Sequence, residues 1–191
     1  MIGKSRGMDI RTQGSGNAGA SNAVIVMGKG TGVFCAILDI FKAYMVYKIA
    51  QRLFPAIKIA GLIASCACII GHIFPIWMHF KGGKGLACLA GMVMAYDMET
   101  FFVLLFMEII FALVVDYICA VAITGSVVFP VVYMMEGGEV TGVWILLLVA
   151  VLIIYRHLEN IERIIQGKEL HLSYLWNKEK EIERLQSRVN E

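Results

Sequence analysis

Residues 140–155 read VTGVWILLLVAVLIIY, a run of sixteen residues without a charged side chain. A helix needs about 17–25 mostly apolar residues to cross a bilayer, so this run is close to a full span. The rest of the chain has the same character: 59% of its 191 residues are hydrophobic, 17% are charged, and the mean hydropathy is +0.73. Soluble domains carry about a quarter charged residues. The composition therefore excludes an ordinary soluble protein and favours a membrane protein.

Five more apolar segments precede this run. They lie at about 31–54, 59–78, 85–96, 100–115 and 117–135. The segment 85–96 is short enough to be a re-entrant or buried helix rather than a crossing. The sequence thus predicts an all-α, polytopic helical integral membrane protein with five to six transmembrane helices.

The basic residues are divided unequally between the two sides that six crossings would create. Three of them, Lys48, Arg52 and Lys58, fall on one side, and thirteen fall on the other. Because cytoplasmic loops are enriched in Lys and Arg, the second side is predicted to be cytoplasmic. The thirteen are Lys4, Arg6, Arg11, Lys29, Lys81, Lys84, Arg156, Arg163, Lys168, Lys178, Lys180, Arg184 and Arg188.

The two ends of the chain are more polar than its middle. Residues 171–191 carry many charges, with an apolar stripe of Leu175, Ile182, Leu185 and Val189, which predicts a charged amphipathic tail after a membrane domain at 1–170. This tail is either solvated or in contact with a partner helix. The first 22 residues lack an apolar core, so no cleavable signal peptide is expected.

The cysteines and the intramembrane charges have local interpretations. All five cysteines lie in apolar segments, and the CxC at Cys66 and Cys68 lacks a second Cys or His cluster, so we expect no bound metal. Asp39 and Lys42 share one helix face and can form a structural ion pair or take part in catalysis. Glu108 has no obvious local partner; it can be buried, protonated or displaced toward an interface.

A small and polar stretch, GSGNAGASN at 14–22, stands out in this apolar chain. Glycine permits left-handed backbone angles that turn successive N–H groups toward one point, and such a nest binds anions. Ser15 and Asn17 add side-chain donors. The alternative interpretation is a flexible glycine-rich linker.

A second stretch, KGGKG at 81–85, combines two lysines with three glycines. Lys81, Lys84, backbone N–H donors and the N-terminus of the following helix together suit an anion. Flanking charge under the positive-inside rule accounts for the lysines but not for the glycines.

A third stretch, RHLENIERIIQGKE, occupies 156–169. His157 and Asn160 are three residues apart and share one helical face. His157 can act as an acid or base near neutral pH, or it can be a polar anchor at the membrane interface. By the side assignment above, all three stretches face the cytoplasm, where a phosphorylated substrate can meet a lipid reactant.

Taken in order, these stretches closely resemble the acyl-phosphate-dependent glycerol-3-phosphate acyltransferases of bacteria, the PlsY family. The resemblance runs from about Asp9 to Glu169 and includes GHIFPIWMHFKGGKG at 71–85, DIR at 9–11 and DYICAVAI at 116–123. It implies transfer of a fatty acyl group from acyl phosphate to the 1-hydroxyl of glycerol 3-phosphate. The products would be lysophosphatidic acid and phosphate, in the first step of bacterial phospholipid synthesis.

The resemblance also implies the site residues and the partners. Glycerol 3-phosphate, acyl phosphate and membrane lipid are the expected partners, with no cofactor and no nucleic acid, in a multi-pass protein of the bacterial plasma membrane. The expected catalytic residues are His157, Asn160 and Ser15. The expected substrate-binding residues are Arg11, Gly14, Gly16, Asn17, Gly19, Asn22, Lys81, Gly82, Gly83, Lys84 and Gly85.

The sequence departs from the family pattern at two places. Family members have an apolar helix before the first motif, whereas 13 residues precede Gly14 here, so that helix is expected to be lacking or encoded upstream. They also usually carry an arginine about three residues after the motif, where this chain has Ile25. Arg11 or Lys29 can supply the missing cation.

Three functions remain open at this point. The first is the acyltransferase. The second, favoured by Ile25, is a catalytically weak paralogue that binds phosphate or phospholipid head groups without turnover. The third is a small transporter or channel that uses Asp39, Lys42 and Glu108 as an intramembrane path.

Overall fold

The computed structural model describes Gly3 and residues 7–189, with side chains up to residue 187. Lys4, Arg6 and the side chains of Arg188 and Val189, which entered the charge count and the tail stripe, lie outside the described residues. All regular structure in the described part is helical, as predicted. Eight α-helices lie wholly within the described residues: α1 (Ala20–Met27), α2 (Lys29–Leu53), α3 (Ala60–Ile73), α4 (Leu86–Tyr96), α5 (Met98–Val115), α6 (Ile118–Met135), α7 (Val140–Ile165) and α8 (Lys178–Val189).

Helices α2 to α7 coincide with the six apolar segments of the sequence. Within the described part of the chain, four stretches are long and apolar enough to cross a membrane: Ala60–Met78, which is α3 with the 3-10 turn Ile76–Met78, and helices α5, α6 and α7. Helix α2 has 25 residues but contains several charges, and α4 has 11 residues. The number of crossings therefore stays a prediction.

Much of the apolar surface of these helices is exposed. Phe102, Phe106 and Val114 on α5 are 59%, 66% and 78% exposed. Between its two ends, a helix bonds its backbone N–H and C=O groups within the segment, which is why helices with apolar exteriors are stable in lipid. This surface fits the predicted integral membrane protein.

The chain forms two compact units, Met1–Met98 and Glu99–Glu191. In the first unit, α2 packs against α1, α3 and α4. Glycines allow these close approaches: a Cβ at Gly91 of α4 would clash with the Ile40 carbonyl oxygen of α2, and one at Gly61 of α3 would lie 2.7 Å from the Tyr47 ring. Small residues at helix contacts serve the same purpose in many membrane proteins.

In the second unit, α6 packs against α7. The tyrosine Tyr133 lies over Gly142, where a Cβ would be 2.6 Å from its hydroxyl oxygen. Glu108 of α5 accepts hydrogen bonds from the Thr124 hydroxyl of α6 at 2.8 and 3.0 Å. Thr124 is therefore the partner of Glu108, which the sequence alone did not identify.

Candidate functional site

The first motif is folded around the side chain of Asn22, which is fully buried in the first turn of α1. Its Nδ2 donates to the carbonyl oxygens of Ile10, Gln13 and Asn17 at 2.7, 3.0 and 2.9 Å. Its Oδ1 accepts from the N–H of Ser15 at 2.8 Å. The stretch is therefore an ordered loop followed by a helix, and the linker interpretation is wrong.

Two glycines of this loop have the left-handed angles that the nest interpretation requires. Gly14 has φ 58° and Gly16 has φ 70°. A Cβ at Gly14 would also clash with Asn22 Oδ1, so glycine is required there by both conformation and space. Ser15, between them, is exposed.

Arg11 ties this loop to the second motif. Its Nη1 donates to the Met78 carbonyl at 3.0 Å, and its Nε and Nη2 donate to the Asp9 carboxylate. The hydrogen bonds that Arg11 donates to the Asp9 carboxylate raise the pKa of Arg11 above its ordinary value. A carboxylate thus offsets the charge that the sequence offered as a replacement for the missing arginine. Ile25, at the position of that arginine, is half-buried in α1.

The second motif lies against the C-terminal end of α3. The amides of Gly82 and Gly83 donate to the carbonyls of Ile73 and His72, both at 3.1 Å. The His72 ring occupies the space that a Cβ at Gly83 would need. The expectation that these amides are free for an anion is thus corrected: they bond within the protein, and the two glycines permit close packing on α3.

The two motifs meet at a pair of glycines. A Cβ at Gly19 would lie 3.7 Å from the Gly83 Cα. Gly19 is the N-cap of α1 and Gly85 is the N-cap of α4, and no side chain caps either helix within the described part of the chain. The first N–H groups of a helix have no partner in the helix and carry partial positive charge. Two such helix ends therefore lie close to this contact, together with Lys84.

One acceptor atom near this contact is unsatisfied. Asn17 Oδ1 is buried, and within the described residues it has no hydrogen-bond partner. A buried polar atom without a partner costs about 1–3 kcal/mol. It suits a ligand that brings a hydroxyl donor. In the second motif, Lys81 is exposed and Lys84 is half-buried.

Behind the second motif, Asp39 and Lys42 form the ion pair that their spacing predicts. Lys42 Nζ lies 2.5 Å from Asp39 Oδ1 and 2.9 Å from His72 Nδ1. Asp39, His72 and Cys88 each place a ligand atom within 4.8 Å of the others. The Lys42 ammonium lies among these atoms, so a cation already satisfies them and the group supports the loop through His72.

In the second unit, the third motif is the C-terminal part of α7. His157 and Asn160 are both buried, at 4% and 7% exposure. Nδ1 of His157 lies 2.7 Å from the Ile153 carbonyl oxygen. A carbonyl only accepts, so Nδ1 carries the proton in the neutral ring and Nε2 carries the lone pair. The ring is thus in the tautomer that a base at Nε2 requires.

Asn160 is held by a residue that the sequence analysis did not select. Its Nδ2 donates to Glu169 Oε1 at 2.5 Å, and Arg163 Nε donates to Glu169 Oε2 at 2.6 Å. Glu169 is 8% exposed. The neighbouring Arg156 has a buried Nε without a partner among the described residues. Glu169 and Arg156 both lie inside the third motif, so this motif was the feature of the sequence that could have pointed to them.

Comparison with known proteins places this arrangement in a family. The family model described as glycerol-3-phosphate acyltransferase matches residues 1–167. A glycerol-3-phosphate acyltransferase of Aquifex aeolicus is 33% identical over 171 residues, covering 88% of each chain. One from Thermotoga petrophila is 35% identical over 164 residues, covering 86% of this chain and 83% of its own.

Solved structures agree with the sequence comparison. The crystal structure of PlsY, an integral membrane glycerol 3-phosphate acyltransferase, superposes in its glycerol 3-phosphate form with a TM-score of 0.84 and 32% identity, covering 91% of this chain and 87% of that one. Its lysophosphatidic acid form gives a TM-score of 0.79 and 31% identity, covering 89% and 85%. The chain therefore belongs to the glycerol-3-phosphate acyltransferase family of integral membrane enzymes.

Proposed function

We propose that this protein transfers a fatty acyl group from acyl phosphate to the 1-hydroxyl of glycerol 3-phosphate, releasing lysophosphatidic acid and phosphate. The observation that carries the proposal is the contact between the first two motifs at Gly19 and Gly83, beside Lys84 and two glycine-capped helix ends. Family membership gives the reaction class, and this contact gives a place for a phosphate group.

Phosphate binding is assigned to the first unit. Lys81 and Lys84 supply positive charge, and the N-termini of α1 and α4 supply N–H donors. The amides of Gly82 and Gly83 are used elsewhere, so their contribution is to let the loop pack closely. The unpaired Oδ1 of Asn17 can accept a hydrogen bond from a glycerol hydroxyl, and the exposed Ser15 hydroxyl can donate one.

Proton transfer is assigned to the second unit. The 1-hydroxyl oxygen attacks the acyl carbonyl carbon, the bond from that carbon to the phosphate oxygen breaks, and phosphate leaves. His157 Nε2 accepts the hydroxyl proton, with Nδ1 held by Ile153 as described above. Asn160, oriented by Glu169, contacts the reacting hydroxyl. The acyl phosphate is already activated, so no acyl-enzyme is required.

Positioning and charge stabilisation are the main tasks of such an enzyme. Holding two reactants in register can contribute up to about 7–11 kcal/mol to lowering the barrier. Cations and N–H donors stabilise both the leaving phosphate and the oxyanion that develops on the carbonyl. The side chains assigned here are of the types that these tasks need.

We place the reaction at the cytoplasmic face of a bacterial plasma membrane, with membrane lipid around the helices. The thirteen-to-three distribution of basic residues supports this side. Cysteine labelling of intact cells tests it at Ser15, Lys81 and Lys168, which are exposed. A cysteine at each of the three positions should be protected from an impermeant reagent. The wild-type protein, with its five native cysteines, gives the background labelling.

Turnover is tested with purified protein, palmitoyl phosphate and labelled glycerol 3-phosphate. We expect lysophosphatidic acid and phosphate in equal amounts, and no product when palmitoyl-CoA replaces the acyl phosphate. A mock preparation from cells that lack the protein is the control for contaminating activity. Product formation that is equal in this preparation, or absent in folded wild-type protein, contradicts the proposal.

Ile25 favours a second candidate, a weak relative that binds phosphate or phospholipid head groups without turnover. A neutral residue stands where family members usually have arginine, and Arg11 is paired with Asp9. Binding of glycerol 3-phosphate without product, under conditions in which a control acyltransferase works, would identify this second function.

A further inference from the structure

The C-terminal helix α8 contains an ion pair, Arg184 with Glu181, whose further hydrogen bonds join the helix to the rest of the second unit. Arg184 donates to the Glu181 carboxylate from Nε at 2.9 Å and from Nη2 at 2.6 Å, and Glu181 is only 4% exposed. Burying a carboxylate is costly unless it is paired and hydrogen-bonded. A tail that was merely solvated would not bury this residue.

The remaining donors of Arg184 contact the backbone that follows α7. Nη1 donates to the Gly167 carbonyl at 2.8 Å, and Nη2 donates to the Glu169 carbonyl at 2.7 Å. Glu181 in turn accepts from the N–H of His171 at 2.8 Å. The ion pair therefore holds the segment 167–171 at both of its ends.

The residues directly after this segment, together with His171, are fixed at the corner between α5 and α6. The Asp116 carboxylate accepts from the backbone N–H and the hydroxyl of Ser173, at 2.8 and 3.0 Å, and the Asp116 carbonyl accepts from Leu172 N at 2.7 Å. The Tyr117 hydroxyl lies 3.0 Å from His171 Nε2. These contacts anchor the turn that leads into α8 independently of the ion pair. They therefore help to fix the position of Arg184.

Glu169 lies in the middle of the held segment, and its side chain is the one that fixes Asn160. Two hydrogen bonds meet at this residue: Arg184 Nη2 donates to the Glu169 backbone carbonyl at 2.7 Å, and the Asn160 amide donates to the Glu169 carboxylate at 2.5 Å. An amide side chain can rotate, so its orientation depends on where this carboxylate is held. Residues 168–191 lie beyond the part matched by the family model.

We propose that Arg184, oriented by Glu181, is a positioning residue for the acyl transfer: it fixes the backbone of Glu169 and thereby the orientation of the Asn160 amide. This role rests on the proposed function, in which Asn160 contacts the reacting hydroxyl. It also assigns a task to the C-terminal helix, which sequence reasoning left as a charged tail.

Steady-state kinetics of Arg184→Gln test this role. We expect kcat to fall about tenfold, on the scale by which misplaced catalytic groups lose activity, while KM for glycerol 3-phosphate changes less than about twofold. Arg184→Lys should recover part of kcat, because a lysine can reach one carbonyl but not the whole set. Lys180→Gln removes the same charge from an exposed position of α8 and should leave both constants unchanged.

A double-mutant cycle with Glu169→Gln tests whether Arg184 acts through Glu169. In that background Arg184→Gln should lower kcat by less than about twofold, since residues that act through a shared contact are not additive. Full multiplication of the two losses, or an equal loss in Lys180→Gln, overturns the proposal.

Hydrogen–deuterium exchange separates this proposal from the proposed function. Peptides covering 157–170 should exchange faster in Arg184→Gln than in wild type and in Lys180→Gln. If wild type does not turn over, the acyltransferase assignment fails, yet faster exchange still supports the link from Arg184 to this segment. Unchanged exchange in Arg184→Gln overturns it, whatever the activity.

Discussion

Gly19 and Gly83 approach so closely that a Cβ on the first would lie 3.7 Å from the Cα of the second. The contact joins the N-cap of α1 to the loop before α4, although three helices separate them in the chain. Glycine-rich motifs are often interpreted as nests for anions. Here Gly82 and Gly83 of the second motif serve packing, and we propose that the helix ends beside this contact supply the N–H donors.

Gly83→Ala should raise KM for glycerol 3-phosphate about tenfold and lower kcat less. A methyl group would overlap the His72 ring and displace the loop that carries Lys84, and overpacking of this kind costs about 1–3 kcal/mol. Gly71→Ala is the matched control, because a Cβ there meets open space. Equal kinetics for the two variants would contradict the packing role of Gly83.

Asn22→Ala should destabilise the first unit and loosen the loop 13–19. The change leaves several backbone groups without the partner that the Asn22 amide provides, at about 1–3 kcal/mol for each buried unsatisfied group. Thermal unfolding in detergent should show a lower Tm. Ser21→Ala, an exposed change one residue earlier, should unfold like wild type; a Tm of Asn22→Ala within error of that control would refute the organising role.

Lys84→Ala and His157→Ala should have opposite kinetic signatures. A charge-assisted hydrogen bond contributes about 1.5–3 kcal/mol, so Lys84→Ala should weaken apparent substrate affinity roughly ten- to hundredfold. His157→Ala should instead lower kcat by about 10²–10⁴ if Nε2 accepts the proton. The exposed Lys58 supplies a control variant, Lys58→Ala, which should behave as wild type. A small loss in His157→Ala would indicate that the substrate's own phosphate accepts the proton.

Ile25→Arg should lower KM for glycerol 3-phosphate, because it restores a cation at the position where family members usually have arginine. Ile25→Gln is the control for polarity without charge and should bring no gain. If wild type turns over well and the arginine has no effect, another cation already fills the role. Arg11→Gln is then the next variant to measure, despite the pairing of Arg11 with Asp9.

The docking of α8 should persist in mild acid and be lost only at lower pH. Burial raises the pKa of Glu181, but hydrogen bonds from Arg184 and from the His171 N–H outweigh it, so its pKa lies below its ordinary value of 4.5. The stabilisation is then fully present above pH 4.5 and disappears as the pH falls through the lower pKa of the folded protein. Limited proteolysis of the tail across pH 3–7 measures this. Glu181→Gln should be cleaved readily even at pH 7, and cleavage of wild type already at pH 5.5 would contradict the expectation.

The sequence by itself determined the elements and the chemistry. Long apolar runs become helices because a helix bonds the backbone within one segment in lipid. Helices α2 to α7 therefore begin and end within a few residues of the predicted segments, except that α3 ends at Ile73 and α7 continues to Ile165. Spacings along one helix also sufficed: Asp39 pairs with Lys42, and His157 and Asn160 are buried together on α7. The motifs, read in order, identified the family.

Only the tertiary structure decided which side chains meet residues that are distant in the chain. Asn22 organises the loop, the amides of Gly82 and Gly83 bond to α3, and Glu169 holds Asn160. The ion pair of Arg184 with Glu181, within a helix that the sequence presented as a charged tail, holds the backbone of Glu169. Helical periodicity reports neighbours three or four residues apart, such as Glu181 and Arg184. The other contacts join residues that the chain brings together only when it folds, and the spacing of residues along the sequence carries no information about them.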